Sequence, residues 1–298
     1  MKITAVIERL RSDGFRGFTY DVAAYSRLPR ERRELRQGRP GKRGDSSITD
    51  DGEYPVFCQK ASEDDAVFDR FRRSAIYMRV LEHVSRAQGS GYVSELERRP
   101  FGRALLGTLS SVPEPGGPRT YRFGAYGELS PTTLRYAKVA ADLEELFGTL
   151  DGSRVAEIGV GYGGQCRIIM RSWEVGAYHL FDLPPVLALT ERFLVAAGAA
   201  SDRVVAHDAL ALDSVEADLV VSNYAFSELR REVQQEYLDR VILRAPRGYL
   251  TYNHTTPPEW NTFTAEEIAA MIPGSEILPE VPLTAARNVI VAWGHRAA

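Results

Sequence analysis

Cysteine is scarce in this chain: Cys58 and Cys166 are the only two. Two thiols on their own make neither a disulfide framework nor a zinc cluster, and Cys166, just past a run of glycines, reads as a small packing residue. Long apolar runs are missing as well. Nothing approaches the ~20 residues that a membrane-spanning helix needs, and Glu8 interrupts MKITAVIERLR before the apolar stretch of a secretory signal can form. The expected location is cytoplasmic. An excess of one charge is also lacking, since 37 Lys and Arg against 40 Asp and Glu leave a net charge of -3. That balance gives no general attraction to nucleic acid or to an anionic membrane.

What the chain has is length for two units, 298 residues at ~150 per domain. It is organised around VAEIGVGYGGQCRIIM, from Val155 to Met170. The first residues are β-branched and apolar and follow Asp151-Gly152, as in a strand buried on both faces. Glycines follow at 159, 161, 163 and 164, letting the chain turn sharply and a ligand approach the backbone. A helix from Gln165 to Trp173 completes the unit. Gly159, Gly161 and Gly164 fit the dinucleotide pattern G-x-G-x-x-G, while Glu157, Gly159, Gly161 and Gly163 fit the E-x-G-x-G-x-G loop of S-adenosylmethionine enzymes. A pyrophosphate would be repelled by a carboxylate at the strand end, whereas an ammonium and a sulfonium would be attracted. Glu157 therefore favours the methyl donor. A glycine-rich turn without a ligand is the plainer alternative.

Residues 1–60 read as an irregular arm. SRLPRERRELRQGRPGKRGDSSITDDG is rich in Arg and Gly and poor in apolar residues, as in a solvated or mobile loop. Its interleaved acids and lack of an aromatic stripe argue against a nucleic-acid arm. Residues 61–150 read as a helical cap. Ser62 with Asp65 resembles a helix opening, Phe68, Phe71, Val80, Leu81 and Val84 follow at helical spacing, and Gly89-Ser90-Gly91 should stop that helix. A short helix around 102–109 and a Pro- and Gly-rich loop follow, the loop long enough to cover a site. Ser130-Pro131 then opens a helix that ends at Gly148.

From 151 to 298 strands and helices alternate. Strands are expected at 177–181, 203–206, 218–222 and 249–252. Helices are expected from Leu183-Pro184-Pro185 to about Ala197, at 228–243 and at 265–271. The segments 276–279 and 288–293 should close as an antiparallel pair. The pattern predicts an α/β fold, a mostly parallel sheet with helices on both faces, and a ligand beyond the carboxyl ends of the strands. Asp182 after the second strand suits ribose hydroxyls, and Asp208 after the third suits an adenine amino group or a plain loop cap. No tyrosine has a lysine four residues on, the pair a short-chain dehydrogenase would use.

Together with SPTTLRYAKVAADLEELFG and VAEIGVGYGGQCRII, the stretches FDLP at 181–184, SNYAFSEL at 222–229 and GYLTYNH at 248–254 resemble a sugar O-methyltransferase family of antibiotic and surface-glycan gene clusters. The likeness covers the last four fifths of the chain. It implies a class I methyltransferase, Rossmann-like, seven-stranded fold, S-adenosyl-L-methionine as cofactor, and a deoxysugar or glycoside hydroxyl as acceptor. It places Glu157, Gly159, Gly161 and Tyr162 in the cofactor loop and Asp182 at the ribose; Gly163, Gln165, Leu183, Asp208 and Asn223 complete the expected cofactor set. A general base should project from a strand end, which leaves His254 and Glu228, with His207 a weaker third. Glu228 has an alternative use as a first-turn helix acid. Tyr224, Ser227, Tyr252 and Asn253 are polar groups on the same rim, suited to holding a sugar. No essential metal is expected, and Asp208, Glu228 and Asn253 are the oxygen ligands that would have to converge for one. The partner is a small sugar or glycoside, with homo-oligomerisation open. The rivals are a nucleotide-dependent oxidoreductase and a binding protein that keeps the pocket as a scaffold.

Overall fold

The computed structural model describes residues 26–35, 44, 46–112 and 114–295. Much of the expected N-terminal arm, residues 1–25, 36–43 and 45, lies outside them. The described residues form two compact units: 26–35 with 52–141 in one, and 46–51 with 142–295 in the other.

The first unit is helical. Its arginine-rich stretch, expected to be irregular, is a helix at 26–35 (α1). The interleaved acids are its fastenings: Arg30 pairs with Glu34 one turn on, and Glu31 accepts the Ser74 hydroxyl and the Ala75 amide at 2.8 Å each. Next come α2 (Tyr54–Glu63), α3 (Asp65–Phe68), α4 (Ala75–Val80), α5 (Arg86–Glu97) and α6 (Pro100–Leu109). Ser62 opens no helix, since α2 begins at Tyr54 and the Ser62 hydroxyl bonds Gln59 O; Asp64 caps α3 instead. Nor do Gly89 and Gly91 end a helix. A Ser85–Gln88 capping box starts α5 just before them, and Gly89 is a packing position, where a Cβ would lie 2.6 Å from the Phe123 ring. The expected loop after α6 contains a two-stranded ribbon, β1 (Tyr121–Arg122) against β2 (Glu128–Leu129). Fully buried Arg72 ties the unit together, reaching Glu82 at 2.5 Å, Glu114 at 2.9 Å and Ser130 at 3.1 Å. A buried guanidinium requires this: each N–H left without an acceptor would cost desolvation without return. Helix α7 (Pro131–Phe147) begins in this unit and ends in the next.

The second unit holds a seven-stranded sheet. Its strands are β3 (Arg154–Ile158), β4 (Ala177–Asp182), β5 (Val204–Asp208), β6 (Leu219–Asn223), β7 (Gly248–Tyr252), β8 (Glu276–Pro279) and β9 (Val289–Trp293), in the order β5-β4-β3-β6-β7-β9-β8. Five are parallel; β9 runs antiparallel to β7 and β8. Between them lie α8 (Gly164–Ser172), α9 (Pro184–Ala196), α10 (Arg231–Arg240) and α11 (Ala265–Met271). The central strands are mostly apolar and buried on both faces, while edge strands β5 and β8 have no buried residue and carry His, Asp, Glu and Pro, which suit unpaired edges. Because side chains alternate, Ala156, Ile158, Phe181, Val220, Leu250 and Tyr252 share one face, in a cluster with Tyr237, Leu238 and Ile268 of α10 and α11. Glu157 and Tyr178 occupy the other. The strand order reverses at β3, between β4 and β6, which opens a crevice at the carboxyl ends. The mostly parallel sheet expected from the sequence is present, with one local difference: the stretch after β6 is a 3-10 turn, Ala225–Glu228, and α10 starts only at Arg231.

Candidate functional site

At the end of β3 the chain turns through Gly159, Gly161 and Gly163, with φ of 76°, 57° and 82°. These left-handed values suit glycine alone at little cost. Space demands glycine too: a Cβ on Gly159 would lie 1.9 Å from the Ala225 Cβ, and one on Gly163 2.8 Å from Thr190 Cγ2. The turn is pinned from the neighbouring strand. Asp182 Oδ2 accepts the Gly161 amide at 3.1 Å, Oδ1 accepts the Leu183 amide at 2.8 Å, and the Thr190 hydroxyl donates to Gly161 O at 2.8 Å. An amide that would face a pyrophosphate in a dinucleotide site is thus spent on a carboxylate of the protein. The carboxylate keeps accepting capacity, since two oxygens offer about four lone-pair sites.

Two acids line this turn. Glu157 is buried, and loss of solvent pushes its carboxyl up to about 8 despite the Tyr178 hydroxyl, which donates to it at 2.7 Å. Burial likewise lifts Asp182 to about 6, against the pull of the backbone amides of Leu183, Gly161 and Val160. A cation beside Glu157 would favour its ionised form; a second anion would push it higher still. Fully buried Gln165, in the first turn of α8, holds its Oε1 3.3 Å from Asn223 Nδ2 at the end of β6. The Asn223 Oδ1 is buried with no hydrogen-bond partner among the described residues. Such an acceptor is costly in an empty protein and useful to a bound donor.

Other expected cofactor residues have structural partners. Tyr162 is buried, its ring edge-on to Phe193 at 4.6 Å. Leu183 is the residue before α9 and is buried. Asp208 lies beside Asp182 in the sheet register, and its Oδ1 accepts the Leu210 amide at 2.8 Å, a turn-closing bond.

On the β6 and β7 side, Ser227, Glu228 and Asn253 come together. Asn253 Nδ2 donates to Glu228 Oε1 at 2.7 Å, and the Ser227 hydroxyl lies 2.9 Å from Asn253 Oδ1 and 2.6 Å from Tyr224 O. Asp208 is not joined to them. Among the described residues no group of three or more His, Cys, Asp and Glu is arranged to hold a metal ion. Tyr224 has a left-handed backbone (φ 68°), uncommon outside glycine, and its hydroxyl donates to Glu280 in the connection between β8 and β9. Tyr252 points away from the rim: its ring is in the core beside α10, and its hydroxyl donates to Phe263 O. His254 is exposed beyond β7, its ring 5.9 Å from Tyr252. His207 bonds His179 at 2.9 Å and stacks on Phe181, and burial holds both imidazoles below their usual pKa.

Sequence reasoning missed Tyr178, Thr190 and Glu280, each linked to the site only through the fold. For Tyr178 a signal exists: it follows Ala177 at the start of a strand that must lie beside β3, on the same face as Glu157.

No family model and no curated protein matches the chain. Solved structures do. A SAM-dependent methyltransferase from Aquifex aeolicus is 17% identical over 54% of this chain and 96% of its own, with a TM-score of 0.35. A Bacillus subtilis tRNA methyltransferase is 14% identical over 48% and 59%, with a TM-score of 0.34. A phosphoethanolamine N-methyltransferase from Haemonchus contortus, solved with S-adenosylhomocysteine, is 19% identical over 46% and 37%, with a TM-score of 0.36. The chain spans 49% of a matching Galdieria sulphuraria protein, about half its length. The sheet itself, with five parallel strands and an antiparallel β9 between β7 and β8, has the Rossmann-like α/β arrangement.

Proposed function

We propose that this protein is an S-adenosylmethionine-dependent O-methyltransferase acting on a sugar hydroxyl. The observation that carries the cofactor half is the bond from the Gly161 amide to Asp182, made inside a turn whose other acid is Glu157. A glycine turn with its amide directed at a carboxylate is poor ground for a pyrophosphate and good ground for a ligand that brings cationic groups and ribose hydroxyls. Asp182 would take the ribose, Asn223 Oδ1 and Gln165 would meet polar groups of the methionine part, and Glu157 would set the local charge. The cofactor supplies an electrophilic methyl group with an excellent leaving group.

The rest falls to the chain's own residues. A sugar hydroxyl is a weak nucleophile while protonated, and a general base adds ~10²–10⁴-fold. Glu228 is the base in this reading: it follows β6, and its carboxylate is oriented by Asn253. Ser227 fixes Asn253, and with it the acceptor side. His254, exposed and with no hydrogen-bond partner for its ring among the described residues, is the lesser candidate. The resemblance in SNYAFSEL and GYLTYNH extends the acceptor to a deoxysugar of a glycosylated natural product or a nucleotide sugar. The test is transfer of a deuterated methyl group from S-adenosylmethionine to a panel of free sugars, glycosides and nucleotide sugars, read by mass spectrometry. A +17 mass shift on a hydroxyl-bearing sugar, from CD₃ replacing H, supports the reading; transfer only to amines or nucleic acid overturns its acceptor half.

A further inference from the structure

Residues 46–51 lie far from β6 in sequence yet belong with the sheet unit, while the chain that follows them, from 52 to 112, belongs with the helical unit. Their contact with the sheet unit falls on the base. The Ile48 amide donates to Glu228 O at 3.2 Å, the Arg230 amide donates to Ser46 O at 3.1 Å, and Ser47 forms an antiparallel bridge with Leu229. The strap thus grips the peptide groups on both sides of Leu229, directly after Glu228. It is also ordered from within: the Ser46 hydroxyl donates to Asp50 Oδ2 at 3.0 Å, the Asp50 amide donates to Ser47 O at 3.2 Å, and the Ser47 and Thr49 hydroxyls are 3.1 Å apart.

A base on a short 3-10 turn has little rigidity of its own, because that turn lacks the ladder of a longer helix. Catalysis needs its carboxylate held to about half an ångström. Asn253 fixes one carboxylate oxygen; something must fix the backbone. We propose that Ser46, Ser47 and Ile48 are positioning residues for Glu228, a backbone clamp that sets the base for the acceptor hydroxyl. The inference rests on Glu228 being the base.

The test uses the full-length protein with Ile48→Pro, which deletes the N–H that bonds Glu228 O, and Asp50→Ala, which loosens the turn behind it. Where Ile48→Pro no longer binds S-adenosylhomocysteine, Asp50→Ala carries the comparison. Three readouts are followed: hydrogen exchange at the Arg230 amide, the side-chain amide resonances of Asn253, and turnover on an acceptor. The expected result is exchange at Arg230 about tenfold faster, and Asn253 resonances moved toward those of Glu228→Gln. In addition kcat should be roughly 10- to 100-fold lower, with KM for S-adenosylmethionine within about twofold of wild type. Faster exchange at Arg230 with unmoved Asn253 resonances and unchanged kcat overturns the clamp, as does unchanged exchange at Arg230. Failure of the underlying reading looks different: Glu228→Gln itself keeps wild-type turnover, while the Asn253 resonances still respond to the strap.

Discussion

The two halves of the candidate site are built in opposite ways. The glycine turn, with Glu157 and Asp182, comes from two adjacent strands and the loops that follow them, and its shape is dictated by glycine φ values and one carboxylate. The other half, which holds the proposed base Glu228, is assembled from four remote segments: the strap at 46–48, the turn after β6, Asn253 after β7, and Glu280 between β8 and β9. The first half is rigid because local geometry leaves no alternative. The second is held by one or two hydrogen bonds from each of several loops, an arrangement that would let a proposed acceptor site change by loop variation while the glycine turn stays fixed.

The sharpest way to break this comparison is at the proposed base. Glu228→Gln should lower kcat by ~10²–10⁴ while leaving S-adenosylhomocysteine affinity within about twofold, whereas His254→Ala should change kcat less than about threefold. Equal losses for both in a steady-state assay would mean that the two groups act as a pair. At the cofactor half, Gly159→Val should destabilise the protein by more than ~3 kcal/mol and abolish cofactor binding, since it forces a positive φ and a clash with Ala225. Thermal unfolding and calorimetry on the same sample check it; wild-type affinity would show that the turn yields.

A third prediction follows from charge. Glu157 and Asp182 have folded pKa values raised to about 8 and about 6. The folded state therefore holds more protons than the unfolded one between those values and the ordinary carboxyl range. Their contribution to stability is fully present below the ordinary range and is lost as pH rises, through about 6 for Asp182 and about 8 for Glu157. The ligand-free protein should become less stable from pH 5 to 8. A bound cation favours ionised Glu157, so affinity for S-adenosylmethionine should rise with pH by up to ~10-fold per unit below about 8 and then level off. Titrations at several pH values test this; Glu157→Gln should flatten the profile. The smallest effect is expected from Tyr178→Phe. Losing its hydroxyl removes about 1 kcal/mol and moves the plateau of that profile to higher pH.

The same contrast decides what could be read from the sequence. The sheet was legible because each central strand is an apolar run between turn residues, and the glycine turn because φ above zero demands glycine. Asp182 was legible from its spacing after those glycines. Glu228 and Asn253 could be named as strand-end residues, but their bond could not, since it joins two loops. Tyr252 was misplaced for a local reason: alternation along β7 puts it on the face of Leu250, in the core. The arginine-rich helix at 26–35 was missed because, beyond the local Arg30–Glu34 pair, its support comes from Ser74 and Ala75, and no local pattern announces a partner that far away. Ser46 to Ile48 is the loop that the sequence suggests; what the sequence does not show is its bridge to Leu229.

The central claim is that the acid-lined glycine turn takes S-adenosylmethionine. Its most direct test is calorimetric titration of the full-length protein with S-adenosylhomocysteine and, separately, with NADH. One-to-one binding of S-adenosylhomocysteine with none of NADH is the predicted result, and binding of NADH alone would contradict it.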